Sequence, residues 1–441
     1  MSKAHVAIIG GGCAGLSAAA TLTERGYAVT LFEASPHLGG RARTVLVENN
    51  SLMYVLDNGQ HILLGAYRET LDLLNKAGVD EAEAFLRLPL KINLHSVSNT
   101  PDFLLKSESL LPAPLNLLFG LFGCEGLSFS ERAAAIKLMA QLKMNGYQIA
   151  TDTGLEAFLT SKNQNAKLIE VLWEPLCLAA LNTPIAVAST RIFLNVLRDS
   201  FTGNKKNSDF LIPKLDLSKI IANPLSQYIQ AKGGTIKLDS RVRKLRMEND
   251  GQYTVTIGDE HLAFSHVIIA TPPSRLNNLL TAFPKLQNTL VVTESFGYQP
   301  IFTIYLQYPA DIKLPNIMTG FTKNISQWAF DKGQLCGQKG LVAVVVSASG
   351  VHQQLSHEEL ALKVANELHQ VFPHLPKPLW NKVIAEKRAT FSCVPNLARP
   401  SNKTVQPNLF LAGDYTYADY PSTIEGAIRS GIACANLIAS G

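Results

Sequence analysis

The chain has 441 residues, 46% of them hydrophobic and 17% charged, with a formal net charge of +5. That length exceeds one ordinary core and predicts two globular domains with more apolar surface than average. The small positive balance, without a dense run of lysine and arginine, gives no footing for nucleic-acid binding and allows only mild attraction to anionic lipid.

The chain opens on a short apolar run, Val6-Ala7-Ile8-Ile9, which reads as a buried parallel strand. Three glycines follow at dinucleotide spacing. Gly10 allows a tight turn out of the strand, Gly12 lets backbone approach a pyrophosphate, and Gly15 lets the next helix pack on the strand. That helix is predicted over 14–25, with Cys13 and Ala14 at its mouth and its first N–H groups aimed at the phosphates. Gly26 ends it, and a strand over 28–32 carries Glu33 at its tip. A carboxylate there accepts hydrogen bonds from two ribose hydroxyls and repels a 2′-phosphate.

The next stretch, Leu38-Gly39-Gly40-Arg41-Ala42-Arg43-Thr44, resembles the GG-R-x-[RS] signature of the flavin amine oxidase, protoporphyrinogen oxidase and carotenoid desaturase superfamily. The resemblance implies FAD rather than NAD, with Gly39, Gly40, Arg41 and Arg43 running along pyrophosphate and flavin. Asp57-Asn58-Gly59-Gln60-His61 and the following Gly65-Ala66-Tyr67 place glycine among polar side chains, the mark of backbone close to a ligand, before a helix over 67–77. This segment resembles the one that crosses the flavin in hydroxysqualene dehydroxylases, FAD-dependent enzymes of bacterial hopanoid pathways. By that resemblance Asn58, Gly59, Gln60 and His61 are cofactor residues.

From Phe85 the chain leaves the cofactor domain. Residues 109–124 carry no charge, are shorter than the roughly 20 residues of a membrane span, and are interrupted by Pro112 and Pro114. Lys106, Arg132, Lys137 and Lys143 lie nearby. Core, the lining of an apolar tunnel, and insertion into one leaflet all remain open for this segment. Helices are predicted over 131–147, over 153–160 with Thr153 as N-cap, over 168–182 with a kink at Pro175, and over 190–201. A loop follows over 202–208.

A helix over 217–232 then leads to a strand over 235–238 that 240–245 continues, a hairpin of 253–257 with 262–264, and a buried strand over 266–269 entering the turn Ala270-Thr271-Pro272-Pro273. This order resembles the second cofactor segment of the same superfamily. It implies that Val242 touches adenine through its backbone and that the turn containing Ala270 and Pro272 lies over the dinucleotide. Strands over 302–307 and 340–347 belong to a second sheet, 358–372 reads as an exposed helix, and 384–391 returns toward the flavin. The tail offers a strand over 409–412, Gly413-Asp414, and a helix from about Thr423. Such an end supplies backbone N–H groups and one carboxylate to a phosphate–ribityl chain. The matching AGD and IEGA segments of the family carry these roles onto Gly413, Asp414, Thr423, Ile424 and Glu425, with Tyr415 where the family commonly has tryptophan.

The expected fold is α/β. A Rossmann-like FAD-binding domain, discontinuous over 1–80, 209–290 and 386–441, joins an α+β substrate domain over 81–208 and 291–385 with a second sheet and a helical apolar subregion. The resemblance implies non-covalent FAD and reductive dehydroxylation of hydroxysqualene to squalene, with hydride delivered to an allylic carbon. The departing oxygen needs a proton. The candidates are His61, Asp57 and Lys387. His61 is favoured because its unperturbed pKa of about 6.5 suits donation at neutral pH, with Asp57 as its orienting partner or substitute. The alternatives are a carotenoid-type desaturase, a protoporphyrinogen oxidase, an amine oxidase with Tyr415, Tyr417 and Tyr420 as a cation cage, or a flavin-bound scaffold without turnover. Six scattered cysteines without CxxC read as buried free thiols in a reducing cytosol, not as a disulfide framework or metal site. The start does not read as a signal peptide. The expected location is the cytoplasm, in peripheral contact with the inner face of the membrane, and no second dinucleotide motif marks an electron donor.

Overall fold

A run such as Val6 to Ile9, apolar at every position, is stable as a strand only when both its faces are covered. The computed structural model, which describes residues 4–98, 100–107, 111, 113 and 115–440, places that strand, His5–Ile9, at the centre of a five-stranded parallel sheet. The order across the sheet is Thr235–Lys237, Ala28–Phe32, His5–Ile9, His266–Ile269, Leu409–Leu411. Numbered along the chain this is 3-2-1-4-5, the order of a doubly wound dinucleotide fold. The helix Cys13–Glu24 crosses the C-terminal helix Ile424–Ser440 so closely that a Cβ on Gly431 would lie 2.1 Å from the Ala14 carbonyl oxygen. The two ends of the chain therefore share one core.

The second sheet has seven strands in the order Trp380–Phe391, Tyr298–Gln307, Leu341–Ser347, Trp328–Asp331, Met318–Phe321, Lys91–His95, Phe103–Lys106. All its neighbours are antiparallel except Met318–Phe321 with Lys91–His95. The helix His357–Val371 packs on it through Leu360, Val364, Leu368 and Val371. The helix expected to be exposed is thus amphipathic, with only its outer face in solvent. The strand expected to return to the flavin is an edge of this sheet along its whole length, so the boundary expected at 386 falls inside it.

Residues 240–243 do not continue the strand before them. Asp239 turns left-handed (φ 49°), and the backbone N–H groups of Asp239 and Ser240 bond the Ser35 and Glu33 carbonyls. The next strand, Lys244–Met247, therefore joins a separate antiparallel sheet with Tyr253–Ile257 and Glu260–Phe264.

Between the sheets lie the apolar helices. Phe129–Met144 begins at a capping box of Ser128 and Glu131. Leu155–Ser161 starts after Gly154, so Thr153 is not its cap; the Thr153 carbonyl instead accepts from Thr190. The helical run 166–181 continues through Pro175, and its irregularity there is a π-helical turn, Ile169–Trp173, just before the proline that lacks an N–H. Thr190–Phe201 matches its prediction. Of the uncharged segment, Ser109, Leu110, Pro112 and Pro114 lie outside the described residues, and Leu115–Phe122 is helical. Leu117 and Leu121 are buried, whereas Leu115, Phe119 and Phe122 are 44%, 60% and 59% exposed. No described helix is long and apolar enough to cross a membrane. The six cysteines are free thiols, five buried and Cys336 half-buried.

Candidate functional site

The carboxyl ends of the parallel strands open onto a cavity of about 710 Å³ that runs on beneath the second sheet. Its first end is backbone. Gly10 turns out of the strand at φ 117°, where a Cβ would lie 2.5 Å from the Ala270 carbonyl oxygen. A Cβ on Gly15 would strike the Gly10 carbonyl at 1.9 Å, so Gly15 serves helix packing and does not line the cavity. Gly12 differs from both. Its φ is −78°, and a Cβ there would meet nothing nearer than Gly40 Cα at 4.0 Å. Packing within the protein does not require glycine at 12, and the space it leaves belongs to the cavity. Cys13, Ala14, Gly39, Gly40, Val242, Ala270 and Pro272 line the same end. The Glu33 carboxylate faces it too, accepting from the N–H of Gly11 at 2.7 Å and of Ser35 at 2.9 Å.

Arg41 joins the two termini. Its guanidinium donates to Asp414 at 2.8 Å and to the Ala389 carbonyl, and Asp414 also accepts from the Ser422 hydroxyl. The neighbouring Asp414 carboxylate raises the Arg41 pKa above its ordinary value. Gly413, Asp414, Thr423 and Ile424 complete this wall.

Asn58, Gly59, Gln60 and His61 also line the cavity. His61 Nδ1 lies 2.8 Å from the Gly59 carbonyl oxygen. A carbonyl only accepts, so Nδ1 carries the proton. Burial, reinforced by the charge of Arg41 and only partly offset by that hydrogen bond, holds the ring below its ordinary pKa of 6.5. With Nδ1–H spent on Gly59, the ring has its Nε2 left to face the cavity, where a neutral imidazole accepts a hydrogen bond. Asp57 is not its partner. The Asp57 carboxylate points away from the cavity and accepts from the Leu217 N–H at 2.9 Å. Burial pushes Asp57 up to about 6, the Leu217 hydrogen bond opposing. Lys387 is exposed and off the cavity wall, and Arg43 is half-buried and also off it.

The far end is side chain. Leu90, Leu176, Val196, Phe201, Met318 and Trp328 are among its walls, drawn from the second sheet and the helices Glu174–Leu181 and Thr190–Phe201. Tyr417 and Tyr420 do not reach it. The Arg429 guanidinium stacks on their rings at 5.7 and 4.6 Å, so of the three tail tyrosines only Tyr415 faces the cavity.

Residues 13–439 match the flavin containing amine oxidoreductase family. The chain belongs to that family. This flavin amine oxidoreductase is 27% identical to the hydroxysqualene dehydroxylase of Zymomonas mobilis, with both chains covered completely. It is also 27% identical to that of Rhodopseudomonas palustris, over 99% of each chain. Its fold is similar to a solved oxidoreductase from Methanosarcina mazei, at TM-score 0.75 and 17% identity over 97% of this chain and 99% of that one. Membership makes a flavin its cofactor and oxidoreduction its chemistry.

Two further residues of this oxidoreductase differ from their sequence reading. Glu425 is fully buried and off the cavity wall. It accepts from the backbone of Glu69 and Thr70, from the Thr70 hydroxyl and from Arg429, holding the start of the helix Arg68–Lys76 against the C-terminal helix. Glu386 is the residue sequence reasoning missed. It faces Ile301 directly in the antiparallel register, and both line the cavity. Glu33 accepts from two backbone N–H groups and Asp414 pairs with Arg41; Glu386 accepts from the Arg388 N–H at 3.3 Å, acts on Arg41 through its charge, and forms no ion pair among the described residues. Its only signal was alternation along 384–391, which means nothing until the partner strand is known.

Proposed function

We propose that the flavin is FAD and that the protein replaces the allylic hydroxyl of hydroxysqualene by hydrogen, giving squalene. The observation that carries this reading is the cavity itself, polar and backbone-lined at one end and apolar side chain at the other, in a chain aligned end to end with dehydroxylases of that name. The space left at Gly12, the acceptor Glu33 and the helix start at Cys13 suit a dinucleotide rather than a bare flavin nucleotide. Arg41, Asp414, Thr423 and Ile424 would hold the phosphate–ribityl portion. The cofactor unit is then 1–80, 209–290 and the chain beyond the strand Trp380–Phe391, with the rest holding substrate.

The chemistry that a bound, reduced FAD would supply here is hydride donation to the carbon that loses oxygen. The chain's own task is to protonate that oxygen and keep water from the carbon. Hydroxide leaves poorly, and an allylic cation is captured by any nearby water. The apolar wall of Leu176, Val196, Phe201 and Trp328 excludes water along the isoprenoid. Glu386, a cavity-lining carboxyl without an ion pair among the described residues, is the candidate acid in this reading.

Peripheral contact with the cytoplasmic face of a membrane fits the same reading. Leu115, Phe119 and Phe122 face solvent beside the exposed Lys106 and Lys137. Leu117 and Leu121, on the other side of that helix, pack with Leu90, Ile92 and Leu176, which also line the cavity. An apolar side chain carried fully from water contributes about 1.5–3 kcal/mol, enough for reversible attachment by a few.

The test is mass spectrometry of lipid extracts after incubating the FAD-loaded protein with hydroxysqualene and dithionite. Squalene is the expected product. Flavin reduction by an amine, with no squalene formed, would overturn the reading.

A further inference from the structure

Lys332 opens the short helix Lys332–Cys336, is 6% exposed, and forms no ion pair among the described residues. A lysine is rarely so buried unless a carboxylate pairs with it. Asp57 feels its charge but spends its own hydrogen bond on Leu217. The Lys332 amine instead donates to Gln60 Oε1 at 3.2 Å.

That contact decides which way the Gln60 amide points. The Gln60 oxygen faces Lys332, so Nε2 faces the other way and donates to the His61 carbonyl at 3.1 Å. An amide nitrogen has two hydrogens, so one N–H is left over. Beside it stands His61, whose Nδ1–H is spent on Gly59 and whose Nε2 makes no hydrogen bond among the described residues. Both side chains line the cavity.

We infer that Lys332 is a positioning residue that turns the Gln60 amide so the polar end of the cavity offers one donor, Gln60 N–H, and one acceptor, His61 Nε2, the pair that a hydroxyl group satisfies. This rests on the dehydroxylase reading and names the feature of the substrate that is gripped. An alcohol accepts from Gln60 and donates to His61. An ammonium, which only donates, finds one partner and faces the charge of Lys332. A hydrocarbon finds neither, and leaves both protein groups unpaired. Because the reaction removes the hydroxyl, it removes the grip on its own product. A site built to hydrogen-bond a hydroxyl rejects the analogue that lacks it.

The experiment titrates the FAD-loaded protein, oxidised so that no turnover occurs, with hydroxysqualene and with squalene, following the flavin absorbance. The native protein should prefer hydroxysqualene. Lys332→Met should keep its flavin and its squalene affinity while the preference falls about 10-fold, the effect of losing a hydrogen bond to an oriented group. Lys332→Arg, which still donates, should recover most of it. Gln60→Glu keeps an acceptor for Lys332 but has no N–H, and should match Lys332→Met. It decides the matter if Lys332→Met loses its flavin. A native preference in either Lys332→Met or Gln60→Glu overturns the proposal. So does a native protein that makes squalene yet binds the two compounds equally. A protein that prefers hydroxysqualene but makes no squalene overturns the dehydroxylase reading and leaves the hydroxyl grip standing.

Discussion

The two ends of the cavity are made of different material. At the glycine-rich end the wall is main chain: the turn at Gly10, the gap at Gly12, the loop of Gly39 and Gly40, the turn after Ala270, and Gly413. At the far end it is largely apolar side chain from the helices Glu174–Leu181 and Thr190–Phe201 and from strands of the second sheet. Backbone reaches a phosphate only where side chains are absent, so the first end demands glycines at fixed spacing. An apolar wall demands only volume, which leucine, valine, phenylalanine and methionine all supply. One end is therefore written as a motif and the other is not. A substitution at the first should act on occupancy, and at the second on catalysis or lipid.

The largest effect is expected from Gly12→Val. The backbone at 12 is in a conformation valine adopts, and a Cβ there meets only the cavity. The variant should fold and carry no flavin, as read from absorbance per chain; yellow, fully loaded protein would break the comparison at its firmest point. Next is Glu386→Gln, which should keep its flavin and slow single-turnover reoxidation by hydroxysqualene by about 10²–10⁴-fold. His61→Ala should mainly weaken binding, since its Nδ1–H is spent on Gly59 and its Nε2 is left as an acceptor. If His61→Ala slows the chemical step as much as Glu386→Gln does, the acid has been assigned to the wrong residue.

The next concerns pH. Burial lifts Asp57 from 3.8 to about 6, so its contribution to stability is complete below its unfolded pKa and is lost as pH rises through about 6. Asp57→Asn keeps an acceptor for Leu217 and cannot ionise. It should be more stable than the native protein at pH 7.5 by about 2–3 kcal/mol and no more stable at pH 4. Urea melts at the two pH values measure this, and equal differences at both would show that Asp57 does not titrate as its burial requires. The smallest expected effect is on lipid. Phe119→Asp with Phe122→Asp should weaken flotation with anionic liposomes by at least about 10-fold while activity on detergent-dispersed substrate persists. Unchanged flotation would mean that the exposed face of Leu115–Phe122 does not meet the membrane.

The residues that were legible share a property. Gly10, Gly12, Gly15, Glu33, Gly39, Gly40 and Arg41 act within about 35 residues of one another, on one strand–turn–helix–strand unit whose geometry local sequence dictates. The misreadings share the opposite property. Asp57, Lys387 and Glu425 were placed at the site by nearness in sequence to residues that are there, and each side chain points elsewhere once strand alternation and helix packing are known. The helix His357–Val371 showed its polar face in sequence but not the sheet waiting under its apolar one.

By itself the sequence determined that a strand–glycine turn–helix–strand unit opens the chain and that a strand and helix near its end join the same sheet and core, because glycine spacing and apolar runs are short-range requirements of backbone geometry. Only the tertiary structure decided the rest of the site. The protonated nitrogen of His61 depends on a carbonyl two residues back, the Gln60 amide on Lys332, and the cavity position of Glu386 on Ile301 in the neighbouring strand. Proton positions and facing directions are set by whichever partner comes within about 3 Å, and partners at that distance are chosen by the packing of elements that lie far apart in the chain.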